Sequence, residues 1–97
     1  IYGTDRMAVG GIQTLSRLGR SVPGDVSVVG VDDTDLGRCM IPALTTVGID
    51  YRTLSIRMLE ALQTLLGDRR AMPDPTISPS LVKRESTIRC PSHVQAE

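Results

Sequence analysis

The feature that most constrains this chain is the run Val26-Ser27-Val28-Val29-Gly30-Val31, which ends abruptly in Asp32-Asp33. Near-continuous β-branched residues suit a strand of a parallel sheet buried on both faces. The two carboxylates then put charge where the strand leaves the sheet, the edge at which open α/β sheets bind their ligands. A second β-branched stretch, Leu44–Ile49, follows shortly after Pro42.

Helical periodicity separates these strands. Ala8, Val9, Ile12, Leu15 and Leu18 recur at close to 3.6 residues, with Asp5 placed to cap the helix and Gly19 to end it. Val22-Pro23-Gly24-Asp25 reads as a turn. Asp33-Thr34-Asp35 reads as the cap of a short helix over Leu36–Met40, stopped by Pro42. Asp50 caps a longer helix whose Leu54, Met58, Ala61, Leu62 and Leu65 share one face, and Gly67 ends it. Asp68–Pro75 reads as a loop, Thr76–Ile77 and Leu81–Lys83 as short extended pieces, and residues 89–97 as a disordered tail. Ile1-Tyr2-Gly3 reads as the end of a strand that starts upstream, so the chain reads as a fragment. The alternation predicts an α/β fold, a mostly parallel sheet flanked by helices, with right-handed crossovers and one domain over residues 1–88.

Composition narrows the function. A length of 97 residues suits one small domain that buries about two-thirds of its unfolded surface. Tyr2 and Tyr51 are the only aromatic residues, so an aliphatic core is expected. Eleven basic against eleven acidic side chains give zero net charge, unlike a domain that grips DNA through its phosphates. Cys39 and Cys90 lack metal-site spacing and read as reduced thiols. No signal peptide or apolar span is present, so no membrane partner is expected. Gly10-Gly11 inside the first helix costs about 1 kcal/mol per residue and marks close packing. Lys83-Arg84 and Arg69-Arg70 read as solvated surface, and His93 has no nucleophile partner. Acids after a strand also occur around magnesium in phosphoryl-transfer proteins, but such sites need a lysine at a neighbouring strand end. Lys83, the only lysine, is not so placed. No cofactor and no enzymatic activity are expected.

Three phrases in order carry a resemblance. Thr4-Asp5-Arg6-Met7-Ala8-Val9-Gly10, Val26–Asp33 with Pro42–Val47, and Leu81–Thr87 resemble segments of the lactose-repressor (galactose-repressor) family of bacterial transcription regulators. The resemblance covers roughly residues 1 to 88. It implies the C-terminal lobe of a periplasmic-binding-protein-like effector-binding domain, incomplete here, with the DNA-binding headpiece outside the chain. Small-molecule effector sensing, of a sugar or related polar metabolite, is the implied function. The implied partners are a homodimer mate and operator DNA through that headpiece, in the cytoplasm. The alternative is a sugar-binding protein of a membrane transport system with the same fold.

Asp32 is the leading effector-contact candidate. A carboxylate past a dry sheet can accept hydrogen bonds from vicinal hydroxyls, and the resemblance places an effector contact there. Otherwise it caps the following turn. Asp33 is assigned to the loop. Thr4 stands where many relatives carry an effector-holding Asn, and offers one hydroxyl in place of an amide. Its other role is to share the helix cap. Tyr51 follows the second strand, where its ring can stack on a sugar face or pack on its own lobe. For the dimer interface the candidates are Val9, Ile12, Cys39 and Met40, which otherwise pack inside the lobe.

Overall fold

The computed structural model of the chain describes residues 1–67, 74 and 76–91. They divide into two compact units, one of Ile1–Gly48 with the residues from Leu81 onward, the other of Ile49–Ser80. The expected loop 68–75, apart from residue 74, and tail residues 92–97 lie outside the described residues, as do Arg69, Arg70 and His93.

In the first unit the order is helix α1 (Asp5–Arg17), strand β1 (Val29–Val31), short helix α2 (Asp35–Cys39) and strand β2 (Thr45–Gly48). Strand β3 (Ser80–Val82) completes a three-stranded sheet in the order β1-β2-β3. β1 and β2 run parallel, Val29 opposite Thr45 and Val31 opposite Val47, as the sequence predicts for strands joined by a crossover. Thr76–Ile77 forms no strand, and the third strand starts one residue before the expected Leu81. Tyr2 donates its amide to the Val29 carbonyl at 2.9 Å, so the opening residues run beside β1 without forming a regular strand.

Residue choice explains α1. Thr4, extended at φ −145° and ψ 158°, accepts the Met7 amide on its hydroxyl and is the N-cap in place of Asp5. Leu18 closes the helix and Gly19 turns the chain at φ +71°, a conformation glycine adopts without steric cost. The packing expected of the glycine pair belongs to Gly11 alone. A Cβ there would overlap the Tyr2 ring, whereas one at Gly10 would meet nothing within 4 Å.

Ala8 and Ile12 of α1 bury against Val28 and Leu44, with Tyr2, Leu15, Val22, Val26 and Met40 packed around them. That core is aliphatic, as expected. Asp5, Thr45, Thr46 and Ser86 are nevertheless as buried as the hydrophobes, at 0–1% exposure. Every buried side-chain nitrogen and oxygen among the described residues has a hydrogen-bond partner.

Asp5 is a hub rather than a cap. One carboxylate oxygen accepts the Thr34 amide at 2.7 Å and the Thr34 hydroxyl at 3.0 Å. The other accepts the Thr46 hydroxyl at 2.5 Å. The start of α1, the turn after β1 and the interior of β2 are thereby tied at one point. Thr34 precedes α2 but spends its hydroxyl on Asp5, so α2 has no side-chain cap.

β1 is half the length of the apolar run because Ser86 interrupts the ladder. The register would next pair the Val28 amide with the Ala43 carbonyl, and the Thr45 amide with the Val28 carbonyl. Instead Val28 donates to the Ser86 carbonyl and Ser86 donates to Ala43, both at 2.9 Å. The Ser86 hydroxyl accepts the Thr45 amide at 2.8 Å and donates to the Val28 carbonyl at 2.6 Å. One serine therefore stands between the strands and relays both bonds.

The second unit holds α3 (Tyr51–Leu65), longer and later than the helices above. Asp50 caps it as expected, accepting the Thr53 amide at 3.1 Å and the Thr53 hydroxyl at 2.6 Å. Arg57 donates to the carbonyls of Asp74 and Thr76. None of the fifteen α3 residues is buried.

The Asp5 hub gives the first prediction. Asp5→Ala leaves the Thr34 amide and two threonine hydroxyls without an acceptor, at a cost of about 2–5 kcal/mol. Asp5→Asn keeps a single accepting oxygen and falls between Asp5→Ala and wild type. Urea denaturation followed by circular dichroism reads the ranking. Equal stability of Asp5→Ala and wild type contradicts the hub.

Candidate effector-binding edge

The site is assembled at the carboxyl end of β1, where the backbone leaves ordinary conformational space. Asp32 has φ +109° and Asp33 φ +54°. Left-handed conformations are tolerated best by Asn and Asp among residues with a Cβ, but 109° lies well outside the comfortable region even for them. Conformations of this kind cost of order 1–3 kcal/mol and survive only where neighbours over-determine them. Here the Asp32 amide donates to the Val47 carbonyl at 2.9 Å, which extends the parallel ladder by one bond. The Asp33 amide donates to the Thr46 hydroxyl at 3.3 Å, and that hydroxyl in turn donates to Asp5.

The two adjacent carboxylates have opposite fates. Asp33 is held as the sequence reading assigned it, to the loop. Arg38 reaches it through Nε at 3.4 Å and Nη2 at 3.0 Å, and Arg84 reaches it through Nη2. The Asp32 carboxylate is half-buried and meets no hydrogen-bond donor among the described residues. One acid closes the turn, and its neighbour's accepting capacity is unused among the described residues. Two guanidiniums beside Asp33 also oppose a cation at this edge.

Thr4 lies next to Asp5, and Asp5 binds Thr34, so Thr4 shares this sheet edge with the Asp32–Thr34 turn. Its hydroxyl accepts from Met7 at 3.2 Å while its own proton stays available to donate. Cap and ligand contact are compatible there. Tyr51 belongs to the second unit, as the first residue of α3, with its side chain exposed. Of the interface candidates, Cys39 is exposed and Val9 half-buried, whereas Ile12 is a core residue and Met40 packs against that core. Ile41, which ends the apolar run Cys39-Met40-Ile41, is 94% exposed beside Met40. Both cysteines are free thiols.

Arg84 departs from its expected role as solvated surface. Its side chain is 17% exposed, and Nη1 donates to the Leu44 carbonyl at 2.9 Å while Nη2 binds Asp33. The residue is paired because its own amide is fixed by the Thr45 hydroxyl at 3.0 Å, which points the side chain along the sheet. Lys83 beside it is exposed, as expected. No local pattern marks the difference, since the partners lie 39 to 51 residues earlier in the chain.

Hydrogen bonds from Arg38 first, and then Arg84, hold the Asp33 carboxyl below the usual carboxylate range. A lowered folded-state value stabilises the fold above the unfolded value of about 3.9, and the contribution is lost as pH falls through the folded value. Asp33→Asn is therefore expected to be less stable than wild type near pH 7, with the gap narrowing below about pH 4. Denaturation midpoints measured across that window check it. A gap that stays constant down to about pH 2 removes the electrostatic reading.

Comparison with known proteins gives the family. A family model described as a periplasmic binding protein-like domain matches residues 1–87. The lactose operon repressor of Escherichia coli K12 is 35% identical over 88 residues, 91% of this chain and 24% of that protein. The crystal structure of the lac repressor dimer bound to operator and the anti-inducer ONPF matches with a TM-score of 0.81 and 36% identity, over 90% of this chain and 30% of that one. A LacI family transcriptional regulator from Arthrobacter sp. FB24, in complex with lactose, matches with a TM-score of 0.78 and 36% identity, over 89% of this chain and 34% of that one. The chain spans about a quarter of the length of the curated relative. With its strands, its strained aspartate turn and nearly its whole length inside the match, this chain belongs to the periplasmic binding protein-like domain family, in which it is similar to the lactose-repressor type of regulator.

Proposed function

We propose that the chain forms part of the effector-sensing lobe of a lactose-repressor-like transcription regulator, working in the cytoplasm. A small polar ligand, a sugar or a related metabolite, is held at the edge formed by Asp32 and Thr4. Tyr51 enters as a third contact on the strength of the resemblance. The bound ligand biases closure of two lobes, and the bias reaches operator DNA through a headpiece outside these residues. No reaction is catalysed. The carrying observation is the Asp32 carboxylate: half-buried, on a strained backbone, at the carboxyl edge of a parallel pair, with no donor from the described protein. The relatives named above are transcription regulators, which favours this reading over a transport-associated binding protein. No helix among the described residues is long and apolar enough to cross a membrane.

The same reading includes a homodimer. An open groove of about 500 Å³ between α1 and the end of α2 is lined by Ile12, Gln13, Ser16, Arg17, Met40 and Ile41. A second copy is the proposed occupant, because the similar lac repressor structure is a dimer. The domain assignment is that of the sequence, with residues 1–88 as one sensing lobe.

A thermal-shift screen of sugars and nucleosides on the full-length protein identifies the ligand class. With that ligand, Asp32→Asn is expected to weaken binding by about 1–3 kcal/mol while the circular dichroism stays native-like. Unchanged affinity by calorimetry rejects Asp32 as a contact. Ile41→Glu places one charge twice in a symmetric interface and is expected to yield monomers in sedimentation. A wild-type protein that is already monomeric at high micromolar concentration rejects the dimer.

A further inference from the structure

A strained residue needs a restraint, and the structure shows where it comes from. Asp32 at φ +109° is followed by Asp33 at φ +54°. Asp32 itself is restrained by a single backbone bond to Val47, since its side chain has no partner among the described residues. The backbone beyond it is held at Asp33, whose amide donates to the Thr46 hydroxyl, and at Thr34, whose amide and hydroxyl donate to Asp5. The side-chain restraints within the aspartate pair act on Asp33 alone. Arg38 grips its carboxylate and also donates to its carbonyl, at 3.4 Å. But Arg38 lies on the same local turn, five residues on, with its side chain 52% exposed. A restraint from within the turn travels with it and fixes nothing relative to the sheet. Arg84 differs. It comes from beyond β3, its side chain is largely buried, and its second nitrogen is anchored to the Leu44 carbonyl at the foot of β2. Its amide is bound to the Thr45 hydroxyl. The backbone amides of Asp32 and Asp33 already bond to β2, and Arg84 adds the Asp33 side chain to that frame.

We propose that Arg84 is a positioning residue for the effector edge: by clamping Asp33 to the frame of β2, it holds Asp32 in its strained conformation with the carboxylate free for ligand. The proposal deepens the reading of Asp32 as an effector contact and rests on it for its functional meaning. The clamp itself stands on geometry alone. Arg84 touches no ligand in this scheme. A lysine cannot substitute fully, because one ammonium cannot reproduce the two separate guanidinium contacts, to Leu44 and to Asp33.

The test is a double-mutant cycle that needs no ligand. At φ +109° glycine is unstrained, so Asp32→Gly relieves whatever strain the clamp maintains. Thermal unfolding is measured for wild type, Asp32→Gly, Arg84→Gln and the double variant, with Arg84→Lys as the milder replacement. If Arg84 maintains the strain, the change in Tm from Asp32→Gly is more favourable in the Arg84 background by about 2–8 °C than in the Arg84→Gln background. Arg84→Lys falls between. A stabilising role unconnected with Asp32 gives the same Asp32→Gly shift in both backgrounds, and that result overturns the proposal. Should Arg84→Gln not fold, the comparison is made with Arg84→Lys alone, where identical shifts again overturn it. A second cycle on the full-length protein reads binding of the ligand found by the screen. Asp32→Asn combined with Arg84→Gln is expected to bind no more weakly than Asp32→Asn alone, because Arg84 acts only through Asp32. Additive losses overturn the positioning role. If Asp32→Asn leaves binding unchanged while the thermal cycle shows coupling, the effector reading fails and the clamp stands.

Discussion

The Asp5 carboxylate is the fixed point of the first unit. Three donors from two distant segments converge on it, from Thr34 and Thr46, with no exposure to water. A side chain this polar belongs in a core only when its lone pairs are satisfied, and here they are. Its place in the first turn of α1 adds the favourable end of the helix dipole. Helix, strand and turn all depend on one acceptor: α1 is docked by it, the turn after β1 is hung from it, and β2 is pinned through Thr46. The Thr46 hydroxyl carries the effect one step further, since it also receives the Asp33 amide. The backbone of the candidate site is thus two hydrogen bonds from the hub.

The segment Arg84–Thr87 is the second organiser, and it works as a seam. Ser86 stands between β1 and β2, Arg84 joins Leu44 to Asp33, and the Thr87 hydroxyl meets that of Thr45 at 2.9 Å. Residues 84–87 therefore hold the parallel pair together at its foot and, through Arg84, reach the Asp33 carboxylate at its carboxyl edge. A parallel pair of three and four residues has few ladder bonds of its own. Hydroxyl side chains supply the rest, which explains why so small a core tolerates Thr45, Thr46 and Ser86 at full burial.

Periodicity and β-branched runs revealed α1, the parallel pair, the short α2 and the capped α3, because each is specified by near neighbours. Gly19 and the Asp50 cap were legible for the same reason. The site was legible in part. Asp32 stood out as charge at the end of an apolar strand, and the assignment of Asp33 to the loop followed from its position among turn formers. What escaped were contacts set only by the tertiary fold. Asp5 and Thr4 are adjacent polar residues at a helix start, and nothing local says which one caps and which one faces inward. Ser86 shortens β1 from 58 residues away in sequence. Arg84 and Lys83 are indistinguishable by composition until one guanidinium finds a carboxylate across the sheet.

Gly30 and Gly37 acquire a meaning from the hub that neither has alone. A Cβ on Gly30 would strike an Asp5 carboxylate oxygen and come within 2.9 Å of Leu44, and one on Gly37 would lie 3.1 Å from the other oxygen. The two glycines are the walls of the chamber in which the carboxylate sits, one on β1 and one on α2. Their absent side chains are a volume reserved for Asp5. Among divergent relatives the three positions are accordingly expected to change as a set: a sequence that replaces the aspartate by a shorter residue relieves the closest contact at both glycines, fully admitting alanine at Gly30 only if Leu44 also shrinks, whereas one that keeps the aspartate keeps both walls bare.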